Sequence, residues 1–134
     1  MADLEILPTI LITDDDTEFL GIVAHVMREA DFNVVTATSG NEALDLYLKA
    51  KQEKTSIDAI ISDVDMANGT GIGLLKSLRE LDPSTPFFFM TGGTKIDAQK
   101  AKQLGATGLF EKPFVAKAII SELNETLGRV HSKS

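Results

Sequence analysis

The sequence predicts an α/β fold, a doubly wound five-stranded parallel sheet covered by five helices. Short runs of β-branched and aromatic residues alternate about five times with segments whose apolar residues recur at helical spacing. The short runs are apolar at almost every position, which is typical of strands buried on both faces. Strands that alternate strictly with helices are expected to be parallel and joined by right-handed crossovers.

The first half of the chain supplies three of the strands and two of the helices. These strands are predicted over residues 9–13, 33–37 and 58–62. Asp16 is placed to cap a helix over residues 17–29, in which the apolar residues follow helical spacing. Ser39 and Glu42 form a capping-box pattern that opens the second helix, which ends near residue 50.

The second half of the chain supplies two strands and three helices. The strands are predicted over residues 87–90 and 109–111. Residues 69–73 predict a flexible, glycine-rich approach to a helix over 74–81, which Pro83 ends. The apolar residues of a helix over 95–104 are few and small, which indicates loose packing. Pro113 introduces the last helix.

Length and composition indicate one domain with one core. The chain has 134 residues, of which 43% are hydrophobic. We expect a domain over residues 9–128, an N-terminal extension at 1–8 and a C-terminal tail at 129–134. The net charge of −7 argues against direct binding to nucleic acid or to an anionic membrane. The absence of cysteine, of a signal-peptide pattern and of an apolar run of about 20 residues favours a cytoplasmic protein.

Polar residues follow four of the predicted strands. Asp14 and Asp15 follow the first strand, Asp63 the third, Thr91 the fourth and Lys112 the fifth. The carboxyl ends of parallel strands meet at one edge of the sheet, where ligands bind, so these side chains should converge. Clustered carboxylates repel each other unless a cation lies among them.

A magnesium site with a reactive aspartate explains this set of residues. Mg²⁺ prefers carboxylate oxygens and water, so Asp15 and Asp63 are suited to bind it while Asp14 holds one of its waters. Aspartate is also a nucleophile towards phosphorus. Lys112 would neutralise the charge of a phosphoryl group, and Thr91 would donate to one of its oxygens. Gly92 and Gly93 would let backbone amides approach it.

Four motifs together resemble the receiver domain of two-component response regulators. They are ILITDD at residues 10–15, IISDVDM at 60–66, FMTG at 89–92 and FEKPF at 110–114. The resemblance extends over about residues 9–128 and implies a flavodoxin-like strand order, 2-1-3-4-5, as in CheY.

The resemblance implies a role for each residue. Asp63 is similar in position to the family's phosphoacceptor, and Asp14 and Asp15 resemble its acidic metal pair. These three residues and the main-chain carbonyl of Asp65 would bind Mg²⁺. Thr91 resembles the switch hydroxyl, and Lys112 the lysine that pairs with the phosphoryl group. The Lys112–Pro113 peptide is expected to be cis.

The resemblance also implies a signalling role rather than turnover of an external substrate. A sensor histidine kinase or a histidine phosphotransfer protein would phosphorylate Asp63, and the face formed by helix 4, strand 5 and helix 5 would then shift. A downstream protein target or output domain would read this change. We expect a monomer or a phosphorylation-dependent homodimer. A stand-alone receiver is the simplest expectation, and part of a longer regulator is nearly as well supported.

Some positions depart from the family pattern. Ala67 follows Met66 where receivers usually carry proline, which predicts a looser loop over residues 67–71. Leu109 stands at the aromatic switch position with Phe110 beside it, so switching is expected to use Thr91 and its loop alone, or the packing of Leu109. Asp65 adds a fourth acid, and we hypothesise that its side chain alters hydrolysis of the phosphoryl group.

Two other functions remain as alternatives. One is a receiver-like adaptor that is never phosphorylated, which the departures at Ala67 and Leu109 leave open. The other is a haloacid-dehalogenase-like phosphatase, because Asp63-Val64-Asp65 resembles the two-aspartate motif of that class. The phosphatase leaves Asp14 and Asp15 unexplained and normally has a longer chain.

Overall fold

The computed structural model of the protein describes residues 6–92, 96–112 and 116–129. Five strands form one sheet in the order 2-1-3-4-5, counted along the chain, and neighbouring strands are parallel. The predicted fold class is therefore confirmed, together with the strand order that the resemblance implied.

Strands and helices alternate along the chain. The strands are Thr9–Thr13 (β1), Asn33–Ala37 (β2), Ala59–Asp63 (β3), Phe87–Thr91 (β4) and Gly108–Glu111 (β5). The helices are Thr17–Glu29 (α1), Gly40–Gln52 (α2), Gly71–Leu81 (α3), Ala98–Gln103 (α4) and Ala116–Thr126 (α5). All predicted strands are present, with small shifts at their ends.

The sheet separates two apolar layers, as the uniformly apolar strands predicted. On β4, Phe87 and Phe89 pack into the layer shared with α2, α3 and α4. Phe88 and Met90 pack into the layer shared with α1 and α5. All four side chains are buried, and full burial of such a side chain contributes about 1.5–3 kcal/mol. The central strands are therefore held firmly on both faces, and their carboxyl ends are fixed in position.

The predicted caps of α1 and α2 are present. The Asp16 carboxylate accepts a hydrogen bond from the Phe19 amide at 3.1 Å, and this satisfies a donor that the helix itself cannot pair. Ser39 accepts from the Glu42 amide at 3.1 Å. The Glu42 carboxylate accepts from the Thr38 amide, one residue before the cap, rather than from that of Ser39.

The start of α3 differs from the prediction. Residues 71–73 were predicted to be a flexible approach, but the helix begins at Gly71. The Thr70 hydroxyl caps it by accepting from the Gly73 amide, and the Gly71 amide donates to the Val64 carbonyl at 2.9 Å. A Cβ atom at Gly71 would collide with the carbonyl oxygen of Asp63. This glycine therefore permits close packing of the helix against the end of β3.

The fourth helix is shorter than predicted, because Asp97 caps it and it begins at Ala98. The expectations for Gly93 and for the Lys112–Pro113 peptide, including Pro113 as the start of the last helix, lie outside the described residues. Over the ranges that are described, no helix combines the length and apolar character needed to cross a membrane.

Candidate functional site

Three carboxylates converge at the carboxyl edge of the sheet. One oxygen atom from each of Asp14, Asp15 and Asp63 lies within 4.8 Å of the other two. The prediction that acids from two strand ends meet at one place is therefore confirmed. Asp63 is the last residue of β3 rather than the residue after it.

Asp14 is fixed in the interior of this cluster. It directly follows β1, its amide donates to the Ala37 carbonyl at 3.1 Å, and its side chain is 1% exposed. One carboxylate oxygen accepts from the Asp16 amide at 2.9 Å. The other accepts from the ammonium of Lys112 at 3.0 Å. Both oxygens of this buried anion therefore have a partner, which offsets the cost of removing it from water.

Asp15 and Asp63 are more accessible to solvent than Asp14. Asp15 is exposed, and one of its carboxylate oxygens accepts from the Ala67 amide at 3.3 Å. The side chain of Asp63 is 16% exposed. A cation or a phosphodonor that arrives from solvent would therefore meet Asp15 and Asp63 first.

Lys112 approaches the cluster from the end of β5. Its Nζ atom lies 3.0 Å from Oδ2 of Asp14 and 3.6 Å from Oδ1 of Asp63. The ammonium also lies 4.4 Å from the centre of the Phe19 ring. The Lys112 amide donates to the Thr91 carbonyl at 2.7 Å, which joins the ends of β4 and β5. The structure thus brings Lys112 to the acids, as predicted.

Thr91 is the last residue of β4 and is buried, with 5% of its surface exposed. In the sheet register Asp63 is paired with Met90, so Thr91 lies one residue beyond the position opposite Asp63. Gly92 follows Thr91, and a Cβ atom there would lie 3.7 Å from the Lys112 side chain. Asp65 is exposed, and the metal role of its carbonyl stays a prediction.

The electrostatics of the cluster favour a bound cation. Burial raises the pKa of the Asp63 carboxyl, the charge of Asp14 raises it further, and Lys112 opposes both effects. Burial alone would lower the pKa of Lys112, but its hydrogen bond to Asp14 and the charges of Asp14 and Asp63 outweigh burial and raise it. Lys112 is therefore charged at neutral pH, and its ammonium pairs with two of the three carboxyl groups, those of Asp14 and Asp63.

This donor set fits a magnesium ion. Mg²⁺ binds to carboxylate oxygens and keeps several waters, and exposed Asp15 and half-buried Asp63 offer oxygens on the solvent side of the cluster. Lys112 already pairs with Asp14, so a divalent ion would add positive charge where the carboxylates are least compensated. Asp15 and Asp63 are thus suited to bind the ion directly, and Asp14 completes the group of three carboxylates that could hold it.

Sequence reasoning missed two contacts at this site. Phe19 was predicted only as an apolar residue of α1, yet its ring faces Lys112. Ala67 was noted only for the absence of proline, yet its amide donates to Asp15. Proline has no amide hydrogen, so the departure at residue 67 is what makes this hydrogen bond available.

The fold and the site together define a class of protein, an α/β domain with an acidic cluster at the carboxyl edge of a 2-1-3-4-5 parallel sheet. Residues 10–124 match the response regulator receiver domain family. The chain belongs to this family, and it is a receiver domain of the two-component type.

Relatives and solved structures agree with this assignment. The chain is 33% identical over 123 residues to the transcriptional regulatory protein CpxR of Escherichia coli K12, with 91% of this chain and 50% of CpxR covered. It therefore spans about half the length of this curated relative. A response regulator receiver domain from Clostridium thermocellum superposes with a TM-score of 0.82 at 26% identity, covering 91% of this chain and 95% of that one. For the chemotaxis response regulator CheY4 of Vibrio cholerae the TM-score is 0.74 at 32% identity, covering 90% and 99%.

Leu109, at the position where the resemblance implies an aromatic switch residue, and its neighbour Phe110 pack on opposite faces of the sheet. Leu109 packs against the layer that contains Ala101 and Ala106, next to α4. The Phe110 ring stacks on Phe88 in the other layer, with ring centres 5.0 Å apart and planes inclined by 21°. An aromatic ring therefore lies on the α1 and α5 side of the sheet, while an aliphatic side chain links β5 to α4.

Proposed function

We propose that this receiver domain accepts a phosphoryl group on Asp63 from the phosphohistidine of a sensor histidine kinase or a histidine phosphotransfer protein. The position of Lys112 carries the proposal. Its ammonium lies 3.0 Å from Asp14 and 3.6 Å from Asp63, so a group added to Asp63 would meet a positive charge already in place. Mg²⁺ would be held by Asp14, Asp15, Asp63 and the carbonyl of Asp65.

The transfer would be an in-line displacement at phosphorus. An oxygen of the Asp63 carboxylate attacks, a new O–P bond forms, and the N–P bond to the donor imidazole breaks with its electron pair left on nitrogen. Lys112 neutralises charge on the transferred group. Bound Mg²⁺ would supply further charge neutralisation at the phosphoryl oxygens.

Phosphorylation would then change the β4–β5 edge of the domain. The added charge, about −1.5 to −2 for a phosphate monoester, would attract Lys112 and the Thr91 hydroxyl. These residues are already joined through the hydrogen bond between the Lys112 amide and the Thr91 carbonyl. A shift at either residue would therefore reach β5, and Leu109 packs β5 against the layer next to α4. We propose the α4–β5–α5 face as the surface that a downstream protein or an output domain reads.

The remaining expectations belong to the same proposal. The domain would act as a monomer or a phosphorylation-dependent dimer in the cytoplasm, and would turn over no external substrate. The net charge of −7 supports contact with proteins rather than with nucleic acid or anionic membranes. Hydrolysis of the aspartyl phosphate by the domain itself would reset it.

Incubation with Mg²⁺ and acetyl phosphate tests the proposal. We expect intact-mass spectrometry to find one added phosphoryl group on the wild type and none on Asp63→Asn. Beryllofluoride should bind under the same conditions, also in an Asp63-dependent manner. A folded wild type that responds to neither reagent would instead support the unphosphorylated adaptor. Repeated turnover of small phosphate esters would support the phosphatase.

A further inference from the structure

The Phe19 ring forms one side of the space that holds the Lys112 ammonium. We infer that Phe19 is a positioning residue for phosphoryl transfer, which keeps Lys112 directed at Asp14 and Asp63. The inference deepens the proposed function and rests on it. It starts from the distance of 4.4 Å between Nζ of Lys112 and the centre of the Phe19 ring. This lies within the range of about 6 Å in which the negative face of an aromatic ring attracts a cation.

Four contacts link Asp14 to its neighbours in a closed cycle that returns to the same carboxylate. The Lys112 ammonium donates to one oxygen of Asp14, and the other oxygen accepts from the Asp16 amide. The Asp16 carboxylate in turn accepts from the Phe19 amide at the first turn of α1. The Phe19 ring faces the Lys112 ammonium, and this contact completes the cycle. The N-terminal cap of α1 and the lysine at the end of β5 thus meet at the same carboxylate.

Phe19 has a role because the Lys112 side chain is flexible and needs to be held in position. A lysine side chain has four rotatable methylene links and a strongly hydrated charge, so its ammonium readily turns outward to water. The Lys112 side chain is 23% exposed, and a path to solvent is therefore open to it. Phe19 offers an attractive surface on the inner side. An aliphatic side chain there would fill some of the same space but would lack the negative ring face.

A ring contact also suits a lysine that must change partners. In the structure Nζ is nearer to Asp14 than to Asp63, by 3.0 Å against 3.6 Å. A phosphoryl group on Asp63 would draw the ammonium towards its oxygens. The attraction to a ring face has no single fixed donor–acceptor direction, so Lys112 could move across the ring without losing it. Phe19 would thereby hold the charge near both positions.

The test compares Phe19→Leu with Phe19→Tyr and Phe19→Trp. We expect Phe19→Leu to be phosphorylated by acetyl phosphate about three- to tenfold more slowly than the wild type, because the ring attraction is lost. The two aromatic variants should retain most of the rate. Ile22→Ala is the matched control, since Ile22 is exposed on the same helix and should leave the rate unchanged.

A nuclear magnetic resonance measurement separates positioning from a general packing defect. Aromatic ring currents should shift the Lys112 Hε protons upfield in the unphosphorylated wild type, and Phe19→Leu should remove that shift. In a Lys112→Ala background, Phe19→Leu should slow phosphorylation no further, because the group that it positions is gone. Thermal unfolding of every variant checks that the fold is retained.

The outcomes distinguish the inference from the function beneath it. Failure of the wild type to become phosphorylated on Asp63 would overturn the proposed function. Normal phosphorylation of Phe19→Leu, or an unshifted Lys112 Hε resonance in the wild type, would overturn the inference alone. Equal rate losses in Phe19→Leu and Phe19→Tyr, with the fold intact, would also overturn it. The inference requires that an aromatic side chain at residue 19 supports the rate and that leucine does not.

Discussion

The ammonium nitrogen of Lys112 lies 3.0 Å from Oδ2 of Asp14, whose side chain is 1% exposed. A lysine at the end of the last strand thus pairs with an acid at the end of the first. Because the same ammonium is 3.6 Å from Asp63, it lies between the buried Asp14 and the proposed phosphoacceptor. Phosphorylation would therefore redistribute an existing ion pair rather than recruit a distant charge.

Removal of Lys112 should reduce stability as well as phosphorylation. Lys112→Ala leaves the buried Asp14 carboxylate without its cation. We expect the free energy of unfolding to fall by about 1–3 kcal/mol. This is less than the roughly 3–5 kcal/mol typical when a buried ion pair is broken, because Lys112 is partly exposed. Urea denaturation measures it, with Lys76→Ala on the exposed side of α3 as the control. Added Mg²⁺ should recover part of the loss. Equal stabilities of the two variants would contradict this prediction.

The charge of Asp63 should cost stability at neutral pH when no metal is bound. Burial and the charge of Asp14 raise the pKa of Asp63, so the folded state holds this proton more tightly than the unfolded state. The resulting stabilisation is fully present below the unfolded pKa, near 3.8, and is lost as pH rises through the folded pKa. Asp63→Asn should consequently unfold at a higher urea concentration than the wild type at neutral pH.

The advantage of Asp63→Asn should shrink as the solution is acidified towards the unfolded pKa. It should also shrink when Mg²⁺ binds the wild type at neutral pH, because a ligand of the folded state stabilises that state. Asp45→Asn, at an exposed position of α2, controls for the loss of one surface charge. An advantage that is independent of pH would show that Asp63 titration is not its source.

The strand-end residues could be predicted because the fold converts sequence spacing into proximity. Once the strands are parallel, Asp14, Asp63, Thr91 and Lys112 are carried to one edge, whatever their separation along the chain. The start of α3 was mispredicted because glycine propensity was considered without its surroundings. At Gly71 the deciding factor is the carbonyl oxygen of Asp63, which leaves no room for a Cβ atom.

The contacts of Phe19 and Ala67 could not be predicted in the same way. The apolar spacing of α1 places Phe19 on the inward side, but the pattern cannot show that a lysine from the other end of the chain meets its ring. The Ala67 contact uses a backbone amide, which every residue except proline carries. Such contacts depend on the path of a loop, and residue types alone do not specify that path.

The hydrogen bond from the Ala67 amide should help to orient Asp15 for a metal ion. Ala67→Pro removes this donor, and we expect the affinity for Mg²⁺ to fall about two- to tenfold, as for the loss of one hydrogen bond to a ligand side chain. Ala67→Gly retains the amide and is the matched control. Isothermal titration calorimetry with Mg²⁺ measures the affinity. If Ala67→Pro binds as tightly as the wild type, the amide has no influence on Asp15 as a ligand.

The side chain of Asp65 should influence the lifetime of the phosphorylated state. It is exposed two residues after Asp63, where a carboxylate can position the water that hydrolyses an aspartyl phosphate. We expect Asp65→Asn to lose its phosphoryl group about two- to tenfold more slowly than the wild type, because the amide is a poorer acceptor for that water. Decay of the phosphorylated mass after removal of the donor measures the rate. An unchanged decay rate would eliminate a role for this side chain.

Arg129 should stabilise the packing of α5 against α1. It lies in the predicted tail, yet its guanidinium donates to the Ala30 and Asp31 carbonyls at 3.0 and 2.7 Å. It also lies 4.0 Å from the centre of the Phe32 ring and donates to the Asn124 side chain at 2.8 Å. The two carbonyls lie at the C-terminal end of α1, where the helix leaves acceptors unpaired. These contacts of Arg129, called the Arg129 clasp below, thus connect the end of α5 to the end of α1.

Arg129→Ala should lower the free energy of unfolding by about 1–3 kcal/mol, because several hydrogen bonds and a ring contact are lost together. Arg129→Lys should fall between this variant and the wild type, since an ammonium cannot donate in a planar fork. Arg28→Ala is the matched control, because it removes an exposed arginine that donates to the Val34 carbonyl. Urea denaturation ranks the variants. Because Arg129 bonds to Asn124 near the end of α5, Arg129→Ala should also increase amide hydrogen exchange there. This end of α5 belongs to the proposed output face. Equal losses in Arg129→Ala and Arg28→Ala would show that the Arg129 clasp adds nothing beyond an ordinary surface arginine.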